Sequence, residues 1–268
     1  MGWQSMNHVV EGLSRRQIFR GHKNSATAEG AGTYHSLWRV AGQPNAGALP
    51  AVASAGGEIV SRATLGAIPF VAPTSGRKLK LVRLLVQGGT VGAFTLVDRV
   101  WQCSGLVLNT LAEQPVTAPP ALTRHADGKG LELWGEVYTA GGATGATYSV
   151  KYTNQDGVAA RVATYVQPAN ALSVGQMVRF DLQGDDYGVR AVESLTLSAS
   201  TGVAGDFGLT ILRPIITIGA PVANLPSSEG LFALNLPDVE DQACLAWQVL
   251  CSTTNTGLMH FWVALGEN

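Results

Sequence analysis

From residue 78 onward the chain alternates apolar and polar positions with a period of two, as half-buried strands do. Lys78-Leu-Lys-Leu-Val-Arg-Leu-Leu-Val-Gln is the first such run. Others occupy residues 93–103, 131–139, 147–153, 160–166, 176–182, 190–198, 207–218, 231–236, 244–252 and 258–265. Turn chemistry separates them. Asn154-Gln-Asp-Gly157 ends in Asp-Gly between two alternating segments and predicts a β-hairpin. Gly184-Asp-Asp-Tyr-Gly188 and Ala204-Gly-Asp206 mark further turns. Many short strands with almost no helical period predict an all-β chain, an antiparallel β-sandwich of jelly-roll type. Alternation places Trp101, Val137, Phe180, Leu195, Phe207 and Trp247 together in one core.

The first 76 residues have a different texture. Val9, Val10 and Leu13 form a weak amphipathic stripe that predicts a short helix within 5–19. Beyond it, Gly-, Ala- and Ser-rich sequence runs through Pro44, Pro50, Gly56 and Gly57 without a sustained period. Such backbone buries too little apolar surface by itself to offset its conformational entropy. The expected division is therefore an extended, irregular arm over 1–76 and a β-sandwich over 77–268. Trp3, Phe19, Tyr34 and Trp38 favour an arm that becomes ordered against another surface. A weak echo links residues 91–100 with 204–214: each has a Gly two residues before a Phe, and an Arg toward the strand's far end.

Composition narrows the functional classes. Glycine contributes 32 of 268 residues, charged residues only 14%, and 18 basic residues face 19 acidic ones. With a mean hydropathy of +0.15, disorder driven by high net charge is excluded. So is a global field that would draw in nucleic acid or an anionic membrane, and no apolar run is long enough for a spanning helix. The residues after Met1 lack a basic start and an apolar stretch, so no secretory signal is expected. Cys103, Cys244 and Cys251 are expected to be buried thiols in a reducing compartment, the last two on opposite faces of one strand.

Residues able to support catalysis or hold a cofactor are sparse and scattered. His8, His22, His35, His125 and His260 are scattered without zinc spacing. Gly141-Gly-Ala-Thr-Gly145 lacks the lysine of a phosphate loop. No cofactor or metal is expected. Glu132 and Glu136 flank Trp134 on one face of a predicted strand, about 13 Å apart at ~3.3 Å per residue. That spacing could suit an inverting glycosidase pair, but a solvent-facing polar stripe alternating with buried Leu131, Leu133 and Val137 is the plainer reading. Asp185-Asp186 reads as a solvated turn able to hold calcium weakly. Basic residues cluster at Arg15, Arg16, Arg20 and Lys23, and again at Arg77, Lys78, Lys80 and Arg83.

The block Leu96-Val-Asp-Arg-Val-Trp-Gln-Cys-Ser-Gly-Leu resembles a segment found in virion structural proteins of tailed bacteriophages. Leu133-Trp-Gly-Glu-Val-Tyr, Ser149-Val-Lys-Tyr-Thr-Asn-Gln-Asp-Gly, Asp186-Tyr-Gly-Val-Arg-Ala-Val-Glu and Gly205-Asp-Phe-Gly-Leu-Thr-Ile-Leu-Arg-Pro resemble its continuation. The resemblance implies a non-enzymatic virion protein, assembled in the host cytoplasm, of the capsid cement or decoration kind. A tail, collar or fibre-associated protein is one alternative, and a carbohydrate-binding or glycan-cleaving sandwich is another. The implied partners are the major capsid protein or other virion proteins and further copies of the chain, a trimer being favoured, with no specific nucleic acid and no membrane. On this view Trp3, Phe19, Tyr34 and Trp38 anchor the arm in a partner's pockets, while Arg15, Arg16 and Arg20 meet acidic groups.

Overall fold

The period-two pattern is realised as strand after strand in a computed structural model that describes residues 6–25, 29–230, 237–253 and 257–267. A helix α1 (Met6–Ser14) leads into β1 (Gln17–Lys23), β2 (Tyr34–Ser36), β3 (Gly42–Gln43) and β4 (Glu58–Ile59). Then come β5 (Leu79–Gln87), β6 (Gly92–Gln102), β7 (Gln114–Pro115), β8 (Glu132–Thr139), β9 (Ala146–Asn154) and β10 (Arg161–Gln167). The rest are β11 (Gln176–Arg179), β12 (Val189–Leu197), β13 (Asp206–Ala220), β14 (Ser227–Glu229), β15 (Asp238–Val239), β16 (Leu245–Cys251) and β17 (Met259–Glu267). The strand runs expected from alternation are present to within a few residues, apart from 231–236, which lies outside the described residues, as does Trp3. The chain is all-β and antiparallel, consistent with a sandwich of jelly-roll type.

One sheet closes on itself. Strands β13, β8, β11, β2, β16 and β6 are hydrogen-bonded in that order, and β6 pairs again with β13. Closure into a barrel leaves these strands without free edges. Two further sheets pack outside it, one ordered β10-β9-β12-β7 and the other β14-β5-β17-β1-β3, with β15 beside β5. We call the second the terminal sheet, because β1 and β17 lie side by side in it. The two echo segments fall on β6 and the first half of β13, strands that pair antiparallel over Gly92–Gln102 and Thr210–Ala220.

Alternation assigns each barrel strand two faces. Val97, Trp134, Met177, Leu212 and Ala246 share one cluster with Trp38 and Cys244, inside the ring. Val100, Leu133, Val137, Val178, Phe207, Leu209 and Ile211 point outward and pack with Tyr148, Val150, Tyr152 and Leu195 of the β9–β12 sheet. Phe94, Leu96, Trp247 and Val249 point outward and pack with Leu79, Leu84, Phe261 and Val263 of the terminal sheet. At roughly 1.5–3 kcal/mol for each large apolar side chain removed from water, both outer clusters contribute heavily to stability. Gly135 makes the packing possible on β8, because a Cβ there would lie 2.1 Å from the Phe207 ring.

Three expectations are corrected. The helix is confined to Met6–Ser14, and Gln17 onward is strand. All six predicted core residues are buried, but Trp247 belongs to the terminal core and the other five to the core on the β9–β12 side. Residues 1–76 are not a separate arm over their described part: β1 pairs with β17 from Gln17↔Leu265 to Lys23↔Met259, and β2 is a barrel strand. The small-residue stretch cannot form a core of its own, yet its short strands complete sheets made elsewhere in the chain.

Candidate functional site

The Asp98-Arg99 step of β6 puts both charges into the interior. The Arg99 guanidinium donates to Glu136 Oε2 at 2.8 Å and to Gln102 Oε1 at 2.7 Å, and lies 5.0 Å from the centre of the Trp38 ring. Burial works against the Arg99 charge, but Glu136 holds its pKa above the usual value. Asp98 accepts two hydrogen bonds from Arg124, at 2.7 and 2.9 Å, and one from the Cys244 amide at 2.7 Å. Burial alone would raise the Asp98 pKa; His125 at 3.6 Å and Arg124 outweigh it and hold the carboxyl below its ordinary range. These two adjacent residues therefore lock β6 to β8 and to the segment between β7 and β8. The second half of the same motif is structural too: Trp101 fills the outer core and donates its indole N–H to Gly56 O at 3.1 Å.

Glu132 and Glu136 do share one face, but it is the barrel interior and not a solvent-facing stripe. Alternation along a closed barrel directs Glu132, Trp134, Glu136 and Tyr138 inward together. Glu136 is 1% exposed, and Trp134 is buried and donates to Glu132 Oε2 at 2.8 Å. Glu132 pairs with Arg179 at 3.0 Å beside a cleft that also includes Asp181, Asp186 and Tyr187. Glu136 borders a different cavity, with Ser36, Arg39 and Tyr138. The two carboxylates therefore do not converge on one ligand-sized space, and Trp134 is no sugar platform.

The Asp185-Asp186 turn is also differently used. Asp186 accepts from Tyr152 Oη at 2.6 Å, Arg161 Nε at 2.7 Å and Asn154 Nδ2 at 2.8 Å. Partial burial opposes its charge, yet these donors bring its pKa down to about 2. Among the described residues no group of three or more His, Cys, Asp or Glu is placed to hold a metal ion. The three thiols are free and buried, and burial pushes Cys103 and Cys244 up to about 12. Cys244 lines the barrel interior and Cys251 the terminal core, on opposite sides as expected.

One solvent-facing patch lies on the outer face of the terminal sheet. Register places three rows across β1, β17 and β5: Ile18, Ala264 and Arg83; Arg20, Trp262 and Leu85; His22, His260 and Gln87. Trp262 is 39% exposed and Ile18 46%. The Arg20 guanidinium lies 4.9 Å from the Trp262 ring centre, the distance of a cation–π contact. No carboxylate occurs in these rows. Beside the same sheet, Ile18, Phe19, Phe70, Val71 and Val263 line an apolar groove of about 260 Å³.

Of the residues assigned to the arm, the sheet brings only Arg20 onto this face, while Arg15 and Arg16 are exposed just ahead of β1. Arg15 lies 3.6 Å from Glu11. Phe19 faces inward, 6.0 Å from the Phe261 ring. Tyr34 meets the Trp134 ring at 5.0 Å, and Trp38 is 1% exposed. An aromatic as buried in its own chain as Trp38 cannot anchor in a partner's pocket, which corrects it as a docking residue; Phe19 is half-buried and packs its ring on the terminal core. Lys23 is also buried; it donates to Val40 O at 3.0 Å, and burial brings its pKa down to about 8. Trp262 and Leu85 were missed, while Arg83 stood in the second basic cluster. The visible signal was the alternation in Met259-His-Phe-Trp-Val, where Trp262 stands at an outward position.

No family model matches the chain, and no curated protein does. Among solved structures, one of the Gx strain of infectious bursal disease virus is 9% identical, covers 94% of this chain and 81% of its own, and has a TM-score of 0.21. The VP2 subviral particle of the same virus is 11% identical, with coverages of 95% and 81% and a TM-score of 0.23. Superpositions that poor carry no argument about this chain's fold or role.

Proposed function

We propose that the chain is a non-enzymatic virion structural protein, a capsid cement or decoration protein that docks on the shell through the outer face of its terminal sheet. The observation that carries the reading is that face: an exposed Trp262 under the Arg20 guanidinium, bordered by Ile18, Leu85 and Arg83. Exposed aromatic and arginine side chains on a firm sheet are the composition of protein–protein hot spots. With no carboxylate in the central rows, the face suits an acidic protein surface, and its charges set orientation and encounter rate more than net affinity. The resemblance of the block around Asp98, Arg99 and Trp101 to segments of tailed-phage virion proteins supports the same reading.

The test is co-sedimentation of the chain with bare shells. Trp262→Ala and Arg20→Glu should each weaken attachment at least about tenfold while leaving the thermal melt in place. Undiminished binding by both variants would remove this face from the mechanism. Glycan cleavage by the wild-type chain, lost in Glu132→Gln, would replace the reading altogether.

A further inference from the structure

We propose that His22 and His260 form a binding site for a single divalent transition-metal ion on the outer face of the terminal sheet. The two residues stand directly opposite each other in the β1–β17 pair. Their ring centres are 6.3 Å apart. A metal–nitrogen bond of about 2.0–2.1 Å and a tetrahedral angle put two coordinating imidazole centres ~5 Å apart. Rotation about the side-chain bonds of His260, which is exposed, and His22, which is half-buried, covers the difference without moving the backbone.

The surrounding row sets the class of ion. Gln43 opposes His22 on its other side, and Gln87 opposes His260. The row thus reads Gln-His-His-Gln, with two imidazoles flanked by neutral carboxamides. Hard cations such as calcium and magnesium require a set of oxygen ligands dominated by carboxylates, and none is present in the row. Zinc, nickel and copper favour imidazole. Arg20, two residues before His22 on the same face, is drawn over Trp262, while Lys23, the next residue of β1, alternates to the opposite face and is buried against Val40 O; these charges weaken the site without blocking it. Two protein ligands leave the remaining positions to water, so the ion is exchangeable.

The experiment is calorimetric titration of the chain, carrying no added histidines, with zinc chloride or nickel chloride. One equivalent should bind, and His22→Gln and His260→Gln should each weaken it at least about tenfold. Zinc should also raise the wild-type melting temperature by mass action, and neither variant should show that rise. Both substitutions are at the surface, so unchanged melts without metal establish that the variants fold. The absence of binding up to about 1 mM would overturn the proposal, as would full binding in both variants. So would a loss produced by His8→Gln or His125→Gln instead. None of these outcomes depends on attachment to a shell.

Discussion

The two sheets that flank the barrel are built in opposite ways. In the β10-β9-β12-β7 sheet, β9 and β10 are consecutive strands joined by the Asn154–Gly157 turn, with Tyr152 facing Arg161. In the terminal sheet, Gln17 faces Leu265 and β5 lies on the far side of β17. The first sheet is built around a short hairpin loop, whereas the β1–β17 pair of the second closes almost the whole chain. Loop-closure entropy is met early in one and late in the other, so the terminal sheet is expected to be the slower to form. It is also the sheet that carries the exposed face, so docking chemistry rests on the part of the fold that depends most on distant sequence.

Deleting residues 1–40 tests that dependence most severely. The deletion removes β1, the barrel strand β2, and Trp38 from the interior. Loss of the cooperative thermal transition is expected; a truncated chain melting like the wild type would make the segment a removable arm after all. Next in size is Arg99→Ala, which leaves Glu136 buried without its cation. Breaking a buried pair from one side costs about 3–5 kcal/mol, readable in urea denaturation. Arg99→Met combined with Glu136→Leu should recover much of that loss.

Trp247→Ala and Phe207→Ala probe the two outer cores separately. Each should cost about 3–5 kcal/mol, and because they belong to different clusters the double variant should be additive within about 0.5 kcal/mol. Strong non-additivity would mean that the barrel transmits strain between the cores. A smaller effect concerns Asp186 on the hairpin side. Its folded pKa of about 2 lies below the ordinary 3.8, so its contribution is complete above pH 4 and fades as the pH falls toward 2. In Asp186→Asn that portion of the acid sensitivity should vanish from pH-dependent melts. Least of all should change in Lys151→Ala, whose ion pair with Glu113 is exposed on both sides; an unaltered melting temperature is expected.

Legibility in the sequence follows the same division. The hairpin was readable because Asp-Gly chemistry lies next to the strands it joins. β1 was not, because Gln-Ile-Phe-Arg-Gly-His-Lys is short, contains a glycine, and acquires its meaning only from Phe261 and Trp262 across the sheet. Glu136 was placed on the correct face, yet nothing local distinguishes a barrel interior from solvent. That distinction arises when β6 returns to β13. Arg99 and Asp98 carried a hint, since adjacent opposite charges within an apolar run must find partners if the run is buried. Those partners, Glu136 and Arg124, are remote in sequence, and alternation alone could not name them.

Because β1 starts where β17 finishes, the chain is a near-ring. A short glycine–serine bridge from the end of β17 to the start of β1 would join strands that already pair at Gln17↔Leu265, and new termini could be opened in the Asn154–Gly157 turn. Such a circular permutant would turn the most distant pairing of the molecule into a local hairpin and the tightest hairpin into loose ends. Its refolding rate, set against that of the parent, would show whether the order of assembly is imposed by connectivity or by the side chains themselves.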